Sequence, residues 1–142
     1  MYFYDQIKLN DTFENRLYLM FIHFSIILQI FKRKKIKFLQ KEYDNLFFSI
    51  ENDLRELGFG DVAVNKKMKD INKILYDILL KINSTNNSFK INKKIILKYF
   101  NEFDNSNDDK YDLFAQYFTK FHNFCFEITP KNMIKEAIKF TN

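Results

Sequence analysis

Asp53-Leu54-Arg55-Glu56-Leu57-Gly58-Phe59-Gly60-Asp61 is the stretch where one helical pattern stops and another starts, and it holds both glycines of the chain. Ahead of it, Tyr43, Leu46, Phe47, Ile50, Leu54 and Leu57 recur at steps of three and four, the spacing that lines up side chains on one helical face. Gly58 stands just past the last of them. A glycine there takes a positive φ without a Cβ penalty and lets backbone amides return to the last carbonyls of the helix. Phe59 is placed to close over the turn, and Asp61 is the expected N-cap of the next helix. Val64, Met68, Ile71, Leu75, Ile78 and Ile82 then resume the stripe. The pattern predicts a tight αα-hairpin over residues 40–83, with arms at 40–57 and 61–83.

Working outward, 142 residues with 46% apolar content suffice for one globular core, so a single domain over residues 1–142 is expected. Two Gly and one Pro argue against a turn-rich β fold. The reading is an all-α, single-domain bundle of about six helices. The chain carries 18 Phe and no Trp and is rich in Lys, Asn and Ile, which reflects an A- and T-rich gene more than a function. The physical consequence remains, because so many large rings predict a densely aromatic core.

The first long helix is capped by Asp11 or Thr12, with Glu14 in its first turn where a carboxylate suits the helix dipole. Its body, Leu17 to Phe31, has fifteen residues without a formal charge. That is shorter than the roughly 20 needed to cross a bilayer, so a central buried helix is expected. Phe3 and Tyr4 precede it as docking side chains, with no cationic leader ahead of them. After the hairpin, residues 84–88 read as a polar loop, 91–103 as a helix, 104–109 as a second loop and 111–126 as a helix whose stripe ends on Phe124 or Cys125. Thr129-Pro130 opens a last helix to about Phe140.

The net charge of +5 is unevenly placed. Lys32, Arg33, Lys34, Lys35, Lys37 and Lys41 form one cluster, Lys66, Lys67, Lys69 and Lys73 a second, and Lys90, Lys93, Lys94 and Lys98 a third. These are either solvated helix faces or contacts for a phosphate-bearing partner, RNA or anionic lipid. Directly after an apolar helix, the first cluster also resembles a cytoplasmic flank, which keeps peripheral membrane contact open. Reactive chemistry is sparse. Cys125 is the sole cysteine and lies between phenylalanines, so it reads as a small buried residue in a reducing compartment. His23 and His122 lack a second ligand at i+4 and read as core histidines, and Gly58-Phe59-Gly60 lacks the Lys and hydroxyl of a phosphate loop. No metal, cofactor or catalytic residue is predicted.

Asp53 to Asp61, followed by Val64, Lys66, Lys67, Met68 and Lys69, resembles the signature of the ubiquinol-cytochrome c chaperone family, approximately L-R-E-M-G-V-G-D-x-x-V-G-K-x-x-K. Phe3-Tyr4 and Asp11-Thr12-Phe13-Glu14-Asn15-Arg16, with His23 seven residues on, resemble that family's F-Y, D-T-x-x-G-R-F and L-H elements in the same order, and Tyr76 matches the tyrosine of its Y-G-R element. Departures are Lys8, Asn10, Asn15, Leu17, Asn65 and Asp77-Ile78. The match spans residues 3 to about 80, and the remaining residues agree only as helices.

The resemblance implies a non-enzymatic assembly factor for the cytochrome b subunit of ubiquinol-cytochrome c reductase. It would receive newly made cytochrome b near the ribosome and ribosomal RNA, together with a small partner subunit. It implies a cytoplasmic protein peripheral to the inner membrane, or a mitochondrial matrix protein in a eukaryote, and the missing leader favours bacteria. The motif residues carried over are Arg16, His23, Arg55, Glu56, Gly58, Gly60, Asp61, Lys66, Lys67 and Lys69. Gly58 and Gly60 are expected to set the hairpin angle. Arg55, Glu56 and Asp61 either brace the turn or face a partner, Arg16 is expected to reach the hairpin carboxylates, and Lys66, Lys67 and Lys69 are ribosome contacts or an ordinary solvated face. The competing readings are an RNA-binding helical module, a membrane-surface adaptor using Lys32 to Lys37, and an enzyme of unknown type.

Overall fold

The computed structural model describes residues 2–5, 7, 9–82, 89, 91, 93–100, 103, 109–137, 139 and 140. The expected loop at 84–88, most of that at 104–109, and Lys8 and Lys90 lie outside the described residues. Among those described there are seven helices and no strand: α1 (Tyr2–Asp5), α2 (Phe13–Arg33), α3 (Gln40–Glu56), α4 (Asp61–Lys81), α5 (Lys93–Tyr99), α6 (Asp109–Phe126) and α7 (Pro130–Ala137). The one helix not expected is α1, a single turn that holds Phe3 in the core.

The helix α2 is the axis of the bundle and packs against α4, α6 and α7. Burial accordingly runs round most of its circumference, with Leu17, Leu19, Phe21, Ile22, Ile26, Ile27, Ile30 and Phe31 all buried. Thr12 is the cap that forms, its Oγ1 accepting from the Asn15 amide at 3.1 Å. Asn15, at one of the departures from the family pattern, is buried and donates from Nδ2 to the Asn10 carbonyl at 2.9 Å. Its side chain therefore ties the entry segment to α2.

The expected hairpin forms from α3 and α4, which pack together, and its buried side chains are Ile50, Leu54, Val64, Ile71, Leu75 and Ile78. Each buried aliphatic side chain of this kind contributes about 1.5–3 kcal/mol. Leu57, expected on the same stripe, is instead 56% exposed, because the chain has already turned at that point. The α3 C-terminus closes as a Schellman motif, with the Phe59 amide donating to the Leu54 carbonyl (3.2 Å) and the Gly58 amide to that of Arg55 (3.0 Å). Gly58 occupies the left-handed position at φ 100°.

The same motif ends α2. The Lys35 amide donates to the Lys32 carbonyl at 3.1 Å and that of Ile36 to Phe31 at 2.9 Å. Lys35 takes the left-handed position at φ 57°, where an L side chain costs about 1 kcal/mol relative to glycine.

The C-terminal helices complete the aromatic core. Phe100, Phe114, Phe118 and Phe121 are buried, and Phe114 touches Phe3, Phe100, Phe103 and Phe118 at centroid distances of 5.6, 5.1, 5.4 and 5.0 Å. The α6 stripe resolves to Cys125, which is fully buried, while Phe124 is 36% exposed. Burial pushes the Cys125 thiol up to about 12, which leaves it an inert thiol at neutral pH.

Candidate functional site

The hairpin tip brings together part of the predicted constellation. Arg55 reaches Asp61 across the turn (Nη2 to Oδ1, 3.4 Å) and Glu51 one turn back on α3 (3.7 Å). These side chains are 44%, 87% and 38% exposed, so each pair contributes about 0.2–1 kcal/mol or less. That is small beside the buried aliphatic side chains behind them. Glu56 makes no ion pair among the described residues; it lines a cleft of about 410 Å³ with Phe13, Arg16, Leu17, Met20, Asp53 and Leu57.

Arg16 does not form the expected pair with the hairpin carboxylates. Its ion pair is with Asp11 (Nε to Oδ1, 3.5 Å), and Nε also points to the Thr12 carbonyl at 3.4 Å. The reason is local. Thr12 caps α2 and Asp11 precedes it, so both acceptors lie within five residues of Arg16, whereas Asp53 and Glu56 stand across the cleft. The two sequence blocks, some forty residues apart, still face each other across that cleft.

His23 lies deeper, in an aromatic enclosure. Its ring sits 6.1 Å from Phe3, 5.5 Å from Tyr117, 4.9 Å from Phe118 and 4.7 Å from Phe121, centroid to centroid. Nδ1 is 2.6 Å from the Leu19 carbonyl oxygen, which can only accept, so the proton is on Nδ1. Nε2, 2.9 Å from the Tyr117 hydroxyl, then accepts from it. Burial lowers the pKa to about 4, against the Leu19 bond that raises it, so the ring is neutral at pH 7. Both ring nitrogens are thus partnered, although the residue is half-buried and not fully within the core. His23, Arg16 and Asp11 also border a cleft of about 780 Å³, together with Tyr2, Met20 and Phe140.

The N-cap of α4 is Gly60, with Asp61 the first helical residue, which places the Asp61 carboxylate at the positive end of the helix. At φ −76° and ψ 171°, Gly60 has a backbone that any residue adopts, and a Cβ there would meet nothing within 4 Å. The backbone thus favours a glycine at 58 and makes no such demand at 60. Lys66, Lys67 and Lys69 are exposed on α4; Lys67 Nζ lies 4.6 Å from the Phe59 ring centroid, and Lys69 borders the α3–α4 groove with Tyr43, Phe47 and Tyr76. Tyr43 is raised to about 12, first by burial and then by its hydrogen bond with Tyr76, so the family-matching tyrosine joins the two arms.

Sequence reading missed the polar cluster on Asp77. Its carboxylate accepts from Lys81 (3.0 Å), Lys98 (2.7 Å) and the Tyr99 hydroxyl, and so ties α5 to α4. Burial alone would raise the carboxyl, but bonds from Lys98, Tyr99 and Lys81 hold it well below the usual range. The i,i+4 spacing of Asp77 and Lys81 was visible in the sequence; the two partners from α5 were not.

Among the described residues no group of three or more His, Cys, Asp or Glu side chains is placed to hold a metal ion, and no helix is long and apolar enough to cross a membrane. No curated protein and no solved structure matches the chain. Residues 5–93, more than half of the chain, match the family model described as Ubiquinol-cytochrome C chaperone. That span contains Arg16, His23, the hairpin and its lysines, and the chain belongs to the ubiquinol-cytochrome c chaperone family.

Proposed function

We propose that this chain is a non-enzymatic chaperone for the cytochrome b subunit of ubiquinol-cytochrome c reductase, complex III of the respiratory chain, and that it receives newly made cytochrome b close to the ribosome. The observation that carries the reading is membership of the chaperone family over the segment that builds α2 and the hairpin. Two features of the surface support it. Arg55, Glu56 and Asp61 add little to stability for their number, which favours a partner contact over a brace. Lys66, Lys67 and Lys69 offer exposed cations to ribosomal RNA on the same hairpin.

In this reading residues 1–142 act as one domain of the family, with a small partner subunit as a further contact. The protein works in a bacterial cytoplasm at the face of the inner membrane, or in the mitochondrial matrix of a eukaryote. Deleting the gene is expected to lower cytochrome b and reductase activity together, measured by haem spectra and ubiquinol oxidation in membranes; normal levels of both defeat the proposal. Arg55→Ala is expected to change stability by less than about 1 kcal/mol while lowering cytochrome b. Replacing Lys66, Lys67 and Lys69 by Glu is expected to reduce salt-sensitive ribosome cosedimentation.

A further inference from the structure

The end of α2 carries a surface that the chaperone reading leaves unused. Residues 32–41 contain six cations and no carboxylate. Lys32, Lys35, Lys37 and Lys41 are exposed and form no ion pair among the described residues. The loop is clamped from within, since Phe38 packs edge-on against Phe24 (5.4 Å) and Phe31 (5.1 Å). On either side of that clamp, Ile36 and Leu39 are 42% and 64% exposed. Lys34 is held back toward α6, its Nζ 4.8 Å from the Phe126 ring centroid and donating to the Phe126 and Ile128 carbonyls at 2.6 and 3.2 Å.

The backbone at Lys35 gives a second, independent indication. In the hairpin the left-handed position of the Schellman motif is filled by Gly58, the residue for which that conformation is least strained; in the α2 motif it is filled by a lysine. A cationic side chain is thus held where its own backbone opposes it, at the tip of the most basic segment of the chain.

We propose that residues 32–41 dock the protein on an anionic lipid bilayer, with Lys32, Lys35, Lys37 and Lys41 at the headgroup phosphates and Ile36 and Leu39 entering the boundary with the acyl chains. The mixture of cations and aliphatics selects this partner. A nucleic acid backbone takes the lysines but gains nothing from Ile36 and Leu39, whereas an interface with lipid buries them and draws in the charges together. The firmly packed Phe38 presents the segment already shaped, so little ordering accompanies docking. The proposal deepens the reading of a chaperone at the membrane face by naming the face that touches lipid, and it rests on that reading only for its biological setting.

The test is cosedimentation of the full chain with vesicles of phosphatidylcholine, alone or mixed with phosphatidylglycerol. Binding at least tenfold stronger to the mixed vesicles, weakening with salt, is expected. Lys35→Gly is expected to lower binding about fivefold while raising the melting temperature, so the loss does not come from misfolding. Lys120→Glu, on the exposed side of α6, is expected to change binding less than twofold. Ile36→Ser with Leu39→Ser is expected to lower binding about tenfold and leave its salt dependence in place. Equal binding to the two kinds of vesicle, or a Lys35→Gly variant that binds as well as the parent, overturns the proposal. So does a Lys35→Gly variant that loses binding to bare RNA and keeps binding to vesicles. Vesicle binding by a protein whose deletion leaves cytochrome b unchanged defeats the chaperone reading alone, and the reverse pair of results defeats this one alone.

Discussion

Gly58 and Gly60 stand two residues apart in one turn, and their backbones make different demands. Gly58 sits at φ 100° with open space around its Cα, so Gly58→Ala meets no clash and carries only backbone strain. It is expected to destabilise the fold by about 1–2 kcal/mol. Gly60 is an N-cap in ordinary extended backbone, where serine is preferred over glycine by a few tenths of a kcal/mol. Gly60→Ser is therefore expected to leave stability unchanged or raise it slightly. Urea unfolding of the two variants checks both, and a large loss at position 60 would show that the turn needs a glycine there for some reason other than its backbone. Both glycines belong to the same motif in the sequence, and only the dihedral angles separate the structural one from the other.

At the scale of elements, the hairpin and α5 are held in contrasting ways. The α3–α4 pair is fastened by aliphatic side chains whose periodicity can be read directly, and Arg55 with Asp61 adds little. The helix α5 has only seven residues, about two turns, too short to persist alone, and is tied to α4 by Lys98 and Tyr99 meeting Asp77. Asp77→Asn keeps the size of the side chain and removes its charge. It is expected to cost about 1–2 kcal/mol, concentrated locally. Hydrogen exchange should report faster exchange in residues 93–99 with α2 unaffected, and unchanged exchange in that segment would show that apolar contacts of Ile95 and Ile96 suffice to hold it.

For the whole molecule, the titratable groups whose pKa values folding shifts set how stability follows pH. His23 has a folded pKa of about 4 against 6.5 when free, so between those values the unfolded chain binds more protons. Its contribution is therefore fully present above about pH 6.5 and is lost as pH falls toward 4, by on the order of 2–3 kcal/mol. His122, also lowered by burial, acts in the same direction. Asp77, held below the usual carboxylate range, contributes above the free carboxyl value of 3.8 and loses that contribution on further acidification. Urea midpoints are expected to fall steadily from pH 7 to pH 4, and His23→Gln is expected to flatten most of that slope. A variant with the parent's pH dependence would place the acid sensitivity elsewhere.

What could be read without coordinates was local. Stripes at three and four residues, a cap at Asp11 or Thr12, Gly58 past the end of α3 and Pro130 at the start of α7 each depend on neighbours within about one helical turn, and these gave the all-α bundle and its hairpin. The two family motifs could also be read, being patterns of adjacent residues. Tertiary packing alone decided that Tyr117 would meet His23 across 94 positions, that Asp77 would collect Lys98 and Tyr99, and that Lys34 would lie over Phe126. The physical reason is range. Helix propensity and capping act over three to five residues along the chain, whereas partner choice for a polar or aromatic side chain depends on which helices α2 gathers around itself, and that is set by the joint burial of the whole core.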